Sequence, residues 1–86
     1  MDINNLIEIV KKKLINEIRI EKINIEDKSF LHKNHAGHQE GKFHLKLMIS
    51  SNELKSLKRI ESNKKIYKIL DQEIKKYIHS LQILIN

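Results

Sequence analysis

Cysteine, proline and tryptophan are absent from this chain of 86 residues, and glycine occurs only twice. Without cysteine there is no disulfide framework, no thiolate nucleophile and no cysteine-based metal site. Any metal must then be held by histidine, by carboxylate or by the sulfur of a partner. Aromatic residues make up 5% of the chain, which leaves few platforms for stacking nucleic-acid bases. No apolar run approaches the roughly 20 residues that span a bilayer. The start, Met1-Asp2-Ile3-Asn4-Asn5, lacks the basic cluster and apolar core of a signal peptide. A cytoplasmic location without a membrane partner is expected.

The residues that are present describe a folded domain. An apolar fraction of 40% and a charged fraction of 33%, with both signs interspersed, argue against disorder. A chain this short has room for one hydrophobic core. A single domain over residues 1–86 is therefore expected, with its function on the surface or in one shallow site. The net charge of +6 suits an anionic partner. The lysines are scattered through every segment, however, which fits a solvated surface equally well.

Periodicity divides the chain. Ile3, Ile7, Val10, Leu14 and Ile18 recur at spacings of three and four, which predicts an amphipathic helix capped by Asp2 or Asn4. Alternation at Ile18, Ile20, Ile23 and Ile25, with one slip near Glu21-Lys22, predicts a first strand. Residues Glu26 to Lys42 contain both glycines, Gly37 and Gly41, together with His32, His35 and His38, and read as a loop. A second strand follows at Phe43, Leu45, Leu47 and Ile49, and a turn at Ser50-Ser51-Asn52. A short irregular or helical stretch around Glu53 to Arg59 precedes a helical stripe of Ile66, Tyr67, Leu70, Ile74, Tyr77 and Ile78. Alternation returns at Leu81, Ile83 and Ile85.

The order helix, strand, strand, helix, strand makes an α+β fold. The long link between the second and third strands favours their parallel pairing, in a three-stranded mixed sheet with helices on one face. His79, at the start of the third strand, then comes to the same end of the sheet as His32, His35, His38 and His44. Side-chain parity places His79 on the face of Leu81, Ile83 and Ile85, whereas His44 opposes Leu45 and Leu47. By that argument His44 is a poorer neighbour for His79 than a loop histidine. A histidine at a strand start is often only a hydrogen-bonded rim residue, and His35-Ala36-Gly37-His38 lacks the usual zinc-ligand spacing.

Several stretches resemble the BolA-like family. Asp27-Lys28-Ser29-Phe30-Leu31-His32 is similar to the family's Asp-x-Ser-x-x-His, and Asn34-His35-Ala36-Gly37-His38 to a loop of bacterial members. His44-Leu45-Lys46-Leu47 stands where the family has His-Phe-x-Val. Ile66-Tyr67 with Leu70 and Glu73 matches Val-Tyr-x-x-Leu-x-x-Glu, and Ile78-His79-Ser80-Leu81-Gln82-Ile83 matches Val-His-Ala-Leu-x-Ile. The resemblance covers nearly the whole chain.

It departs from the pattern at Leu54-Lys55-Ser56, where Phe-x-Gly is usual, and at Ser62-Asn63-Lys64, which replaces an Arg-His-Arg-like run. The first departure removes a glycine from the turn after the second strand, a costly change if that position needs positive φ.

The resemblance implies a class II KH-like two-layer sandwich, α-β-β-α-β. It also implies a non-enzymatic adaptor, monomeric when free, that binds a monothiol glutaredoxin and shares a 2Fe–2S cluster with it. No cluster is expected in the isolated protein. Carried over, His79 matches the family's histidine ligand and His32 the second ligand position, with His35 and His38 as alternatives. His79, Ser80, His32 and His44 are the expected partner-binding residues. Neutral imidazole can replace thiolate on one iron of such a cluster. The KH-like fold and the positive charge also suggest a regulator that binds DNA, although the Gly-x-x-Gly loop of the KH mechanism is missing from the sequence. Ser29 near His32 invites a hydrolase reading, but a loop serine is more often a turn residue.

Overall fold

The computed structural model describes residues 1–29 and 42–86. Asp2 starts the first helix, α1 (Ile3–Glu17), in extended conformation. Its carboxylate accepts the Asn5 backbone N–H at 2.9 Å and the Asn5 side-chain amide at 2.9 Å, which satisfies one of the open donors of the first turn. Leu6, Val10 and Leu14 form the buried stripe of α1, while Ile3 and Ile7 are only half-buried. Each fully buried leucine removes enough apolar surface from water to contribute about 2 kcal/mol. Ile18 turns extended and ends the helix, its N–H still donating to Leu14 C=O at 2.9 Å.

The remaining elements are β1 (Lys22–Asp27), β2 (Phe43–Ser50), α2 (Asn52–Lys55), α3 (Arg59–Ile69), α4 (Asp71–Lys76) and β3 (Ile78–Ile85). The sheet has the order β1-β2-β3, with β1 antiparallel and β3 parallel to β2. This is the expected α+β topology with a mixed sheet. Leu45, Leu47 and Ile49 of β2 are buried under the helical layer with Leu54, Ile66, Leu70 and Ile78, and Leu81, Ile83 and Ile85 of β3 pack against that core. Their sequence neighbours Lys46 and Met48 occupy the opposite sheet face, as the two-residue period of a strand requires. No helix among the described residues is long and apolar enough to cross a membrane.

Three expectations are corrected. The first strand starts at Lys22, because Ile18 is the helix cap and Ile20 lies in the connection. It runs on to Asp27, so Glu26 and Asp27 belong to β1 and not to the loop. The last helical stripe is two helices, broken at Leu70, where φ is −97° and ψ is 17°. Tyr67 lies exposed on it and Ile78 already belongs to β3.

The missing glycine after β2 costs nothing, since Ser56 has φ −73° and ψ −14°, an ordinary right-handed conformation. Ser51 caps α2 instead, accepting Leu54 N–H at 3.2 Å and donating to Arg19 C=O at 2.7 Å.

Candidate functional site

The end of the sheet where β2 and β3 begin is closed by a short chain of hydrogen bonds. Asp27 Oδ1 accepts Ser29 N–H at 2.9 Å, and Ser29 Oγ accepts His44 N–H at 3.1 Å. Lys28 N–H donates to His44 C=O at 2.7 Å. The Asp-x-Ser spacing is thus an Asx-type turn that seals the strand end, and Ser29 serves the backbone of His44. His32, His35 and His38 lie outside the described residues. Their flanking neighbours Ser29 and Lys42 sit at this rim, since Lys42 precedes Phe43, whose N–H donates to Tyr77 C=O at 2.8 Å.

A β-bulge brings His79 into the site. Phe43 pairs with Ile78 but the next residue, His44, pairs with Ser80, so His79 is the extra residue of β3. Ile78 keeps its side chain in the core and Leu81 resumes the core face, while His79 and Ser80 between them are exposed.

Across the ladder, His44 Nδ1 lies 2.6 Å from Ser80 Oγ, with the donor set by the imidazole tautomer. The rings of His44 and His79 meet edge to face, with centroids 4.9 Å apart and planes at 61°. The parity argument that made His44 a poor neighbour for His79 is therefore overturned, because the bulge interrupts the alternation on which it rested. His44 is 6% exposed and His79 is open to solvent, so the two imidazoles have different access to a ligand.

Near the same rim, Lys28 Nζ and Glu26 Oε2 form a 2.7 Å ion pair. The hydrogen bond from Lys28 holds the Glu26 carboxyl below its ordinary value, and the charges of Lys28 and Lys46 act in the same direction. Among the described residues no group of three or more histidine, aspartate or glutamate side chains is arranged to hold a metal ion.

Two polar residues shape the fold through partners that the sequence does not indicate. Ser62 is buried and its hydroxyl donates to Leu54 C=O at 2.8 Å, tying α3 to α2. Ser62-Asn63-Lys64 falls inside α3. Glu73 is buried and pairs with Lys13 of α1 at 2.7 Å.

Comparison with known proteins places this geometry in context. A family model, described as BolA-like protein, matches residues 14–86. The chain is 28% identical over 76 residues to the DNA-binding transcriptional regulator BolA of Haemophilus influenzae, covering 88% of this chain and 71% of that protein. Among solved structures it is similar to the BolA domain of SufE1 from Arabidopsis thaliana, with a TM-score of 0.77 and 28% identity over 92% of this chain and 87% of that one. BolA1 from the same plant gives a TM-score of 0.77 at 22% identity, over 93% of this chain and 88% of that one, a likeness of fold alone.

Proposed function

Because the chain belongs to the BolA-like protein family, we propose that it is a non-enzymatic adaptor that binds a monothiol glutaredoxin and shares a 2Fe–2S cluster with it. Its work would lie in iron–sulfur cluster trafficking or iron-linked regulation. The observation that carries this reading is the accessible imidazole of His79, pushed out by a bulge at the rim where the histidine-rich connection begins and ends.

The donor chemistry fits a shared cluster better than one held by this chain alone. The chain has no thiolate, and the other described imidazole, His44, is buried against Ser80. A partner must supply the sulfur ligands. His79 would hold one iron, with His32, or His35 or His38 in its place, as the second donor of this chain. His44 and Ser80 would support the ring of His79 from behind. When bound, the cluster supplies one-electron chemistry and is itself the cargo.

The test is to mix the protein with a cluster-loaded monothiol glutaredoxin and follow the visible spectrum and complex formation by gel filtration. The wild-type chain should alter the spectrum and co-elute, and His79→Ala should lose the spectral change. A spectrum and complex unchanged by His79→Ala would remove His79 from the site. Single alanine variants of His32, His35 and His38 then identify the second donor.

A second reading, binding to DNA, is favoured by the name of the Haemophilus influenzae relative and by the charge of +6. Phosphate contacts are strongest at low salt, so a duplex titration without binding there would end it.

A further inference from the structure

Among the described residues neither outer strand of the sheet pairs with a further strand, and the two edges are protected differently. β1 carries Lys22, Glu26 and Asp27, the kind of charged side chains that discourage further strand pairing. From Leu81 to Ile85, β3 reads Leu-Gln-Ile-Leu-Ile and carries no charge. Its hydrogen-bonding direction follows from its end. Asn86 donates to Ile49 C=O at 2.8 Å and accepts Ser51 N–H at 3.2 Å, so both of its backbone groups face β2. The register is regular from His44 with Ser80 to Ile49 with Ile85. Alternation then turns Gln82 and Leu84 toward β2, and Leu81, Ile83 and Ile85 outward.

One of these outward groups is used: Leu81 C=O accepts the Tyr67 hydroxyl at 3.4 Å. Among the described residues, no hydrogen bond reaches the outward groups of Ile83 and Ile85. Beside them runs a groove of about 220 Å³ between β3 and the α2–α3 turn, with Leu57, Ile83 and Ile85 as apolar lining and Lys55 and Arg59 as cations. Arg59 is the first residue of α3, whose cap, Lys58, offers no side-chain acceptor to the helix amides.

We infer that the free edge of β3 and this groove take up an extended acidic segment of a partner protein as a fourth strand. The open N–H and C=O groups of Ile83 and Ile85 supply the main-chain ladder. Every second side chain of the incoming strand enters the groove, where an aliphatic residue meets Leu57, Ile83 and Ile85 and a carboxylate meets Lys55 and Arg59. The charge selects the occupant. A second copy of this chain would bring the same cations and the same +6 to the edge, whereas an acidic strand is complementary. This docking stands apart from the histidine rim and does not depend on a cluster.

The probes are a capped peptide alternating valine and glutamate, its lysine counterpart, and the glutamate peptide with alternate amides methylated. The readout is amide hydrogen exchange and nitrogen–proton shifts of the whole chain. The glutamate peptide should slow exchange at Ile83 and Ile85 about tenfold or more at saturation, and the other two should not. Lys55→Glu combined with Arg59→Glu, both exposed and thus safe for folding, should weaken the glutamate peptide by about tenfold.

The inference is overturned if no protection appears at Ile83 and Ile85 at millimolar peptide, or if the methylated or lysine peptide protects equally. It is likewise overturned if those amides become protected by raising the protein concentration alone, or by a single-stranded oligonucleotide in place of the peptide.

Discussion

His44 and Ser80 face each other across the β2–β3 ladder, joined by a 2.6 Å contact between Nδ1 and Oγ immediately after the bulge. The contact fixes a nearly buried ring against the exposed ring of His79. Ser80→Ala removes that partner from His44 and should destabilise the fold by about 1 kcal/mol, the usual net worth of such a hydrogen bond. Ser80→Thr keeps the hydroxyl on a strand that favours β-branched residues and should be near wild type. Urea unfolding of the two variants checks the difference, and an equal loss in both would mean that the hydroxyl is not what matters.

His79 itself should be dispensable for folding. It is exposed, and its described contact is the edge of one ring. Surface substitutions of this kind change stability by about 0.5 kcal/mol or less. His79→Ala should therefore unfold within that margin of the wild type in urea. A cluster-dependent defect in the same variant would then be a defect of ligation, whereas a large loss of stability would make His79 a structural residue.

The part of the site set by local periodicity was legible in sequence, and the part set by register was not. The repeat of Val10, Leu14 and Ile18, the alternation along β2, and the long link to a parallel β3 together put His79 at the correct end of the sheet. The bulge at His79 has no local signature, because it exists only when β3 is laid against β2. Periodicity brings His44 and His79 to the same end of the sheet, but the contact between their rings depends on that bulge. Leu6 lies off the stripe that Ile3 and Ile7 suggest, yet the fold buries it and leaves those two half-buried. The Lys13–Glu73 pair joins residues 60 positions apart, a distance at which a lysine and a glutamate in a highly charged chain carry no mutual signal.

That pair makes a strong stability prediction. Glu73 is buried, one carboxylate oxygen is held by Lys13 at 2.7 Å, and the other has no hydrogen-bond partner among the described residues. Lys13→Ala leaves the carboxylate without its cation and should cost about 2 kcal/mol, less than a fully buried pair because Lys13 is partly exposed. Adding Glu73→Gln removes the stranded charge and should recover part of the loss. Urea unfolding of both single variants and the double variant checks this. A double variant as unstable as the sum of its parents would show that the two side chains do not interact.

Glu53 predicts an acid-sensitive contribution to stability. Lys65 Nζ lies 2.8 Å from its Oε2, and Arg19 N–H donates to its Oε1 at 3.0 Å, so the carboxylate ties α2 both to α3 and to the chain leaving α1. The Lys65 hydrogen bond, and then that of the Arg19 backbone, hold the carboxyl below its ordinary 4.5. A carboxyl whose folded value is depressed releases its proton more readily in the folded chain. Its stabilisation is therefore complete above the unfolded value and disappears as pH falls through the folded one. Glu53→Gln should thus lower the melting temperature by a constant amount above pH 4.5, and the gap to wild type should close as the solution is acidified further. The gap should also shrink with added salt, since both side chains of the pair are partly exposed. Melting curves across this range provide the check, and a gap that widened in acid would contradict the depressed carboxyl.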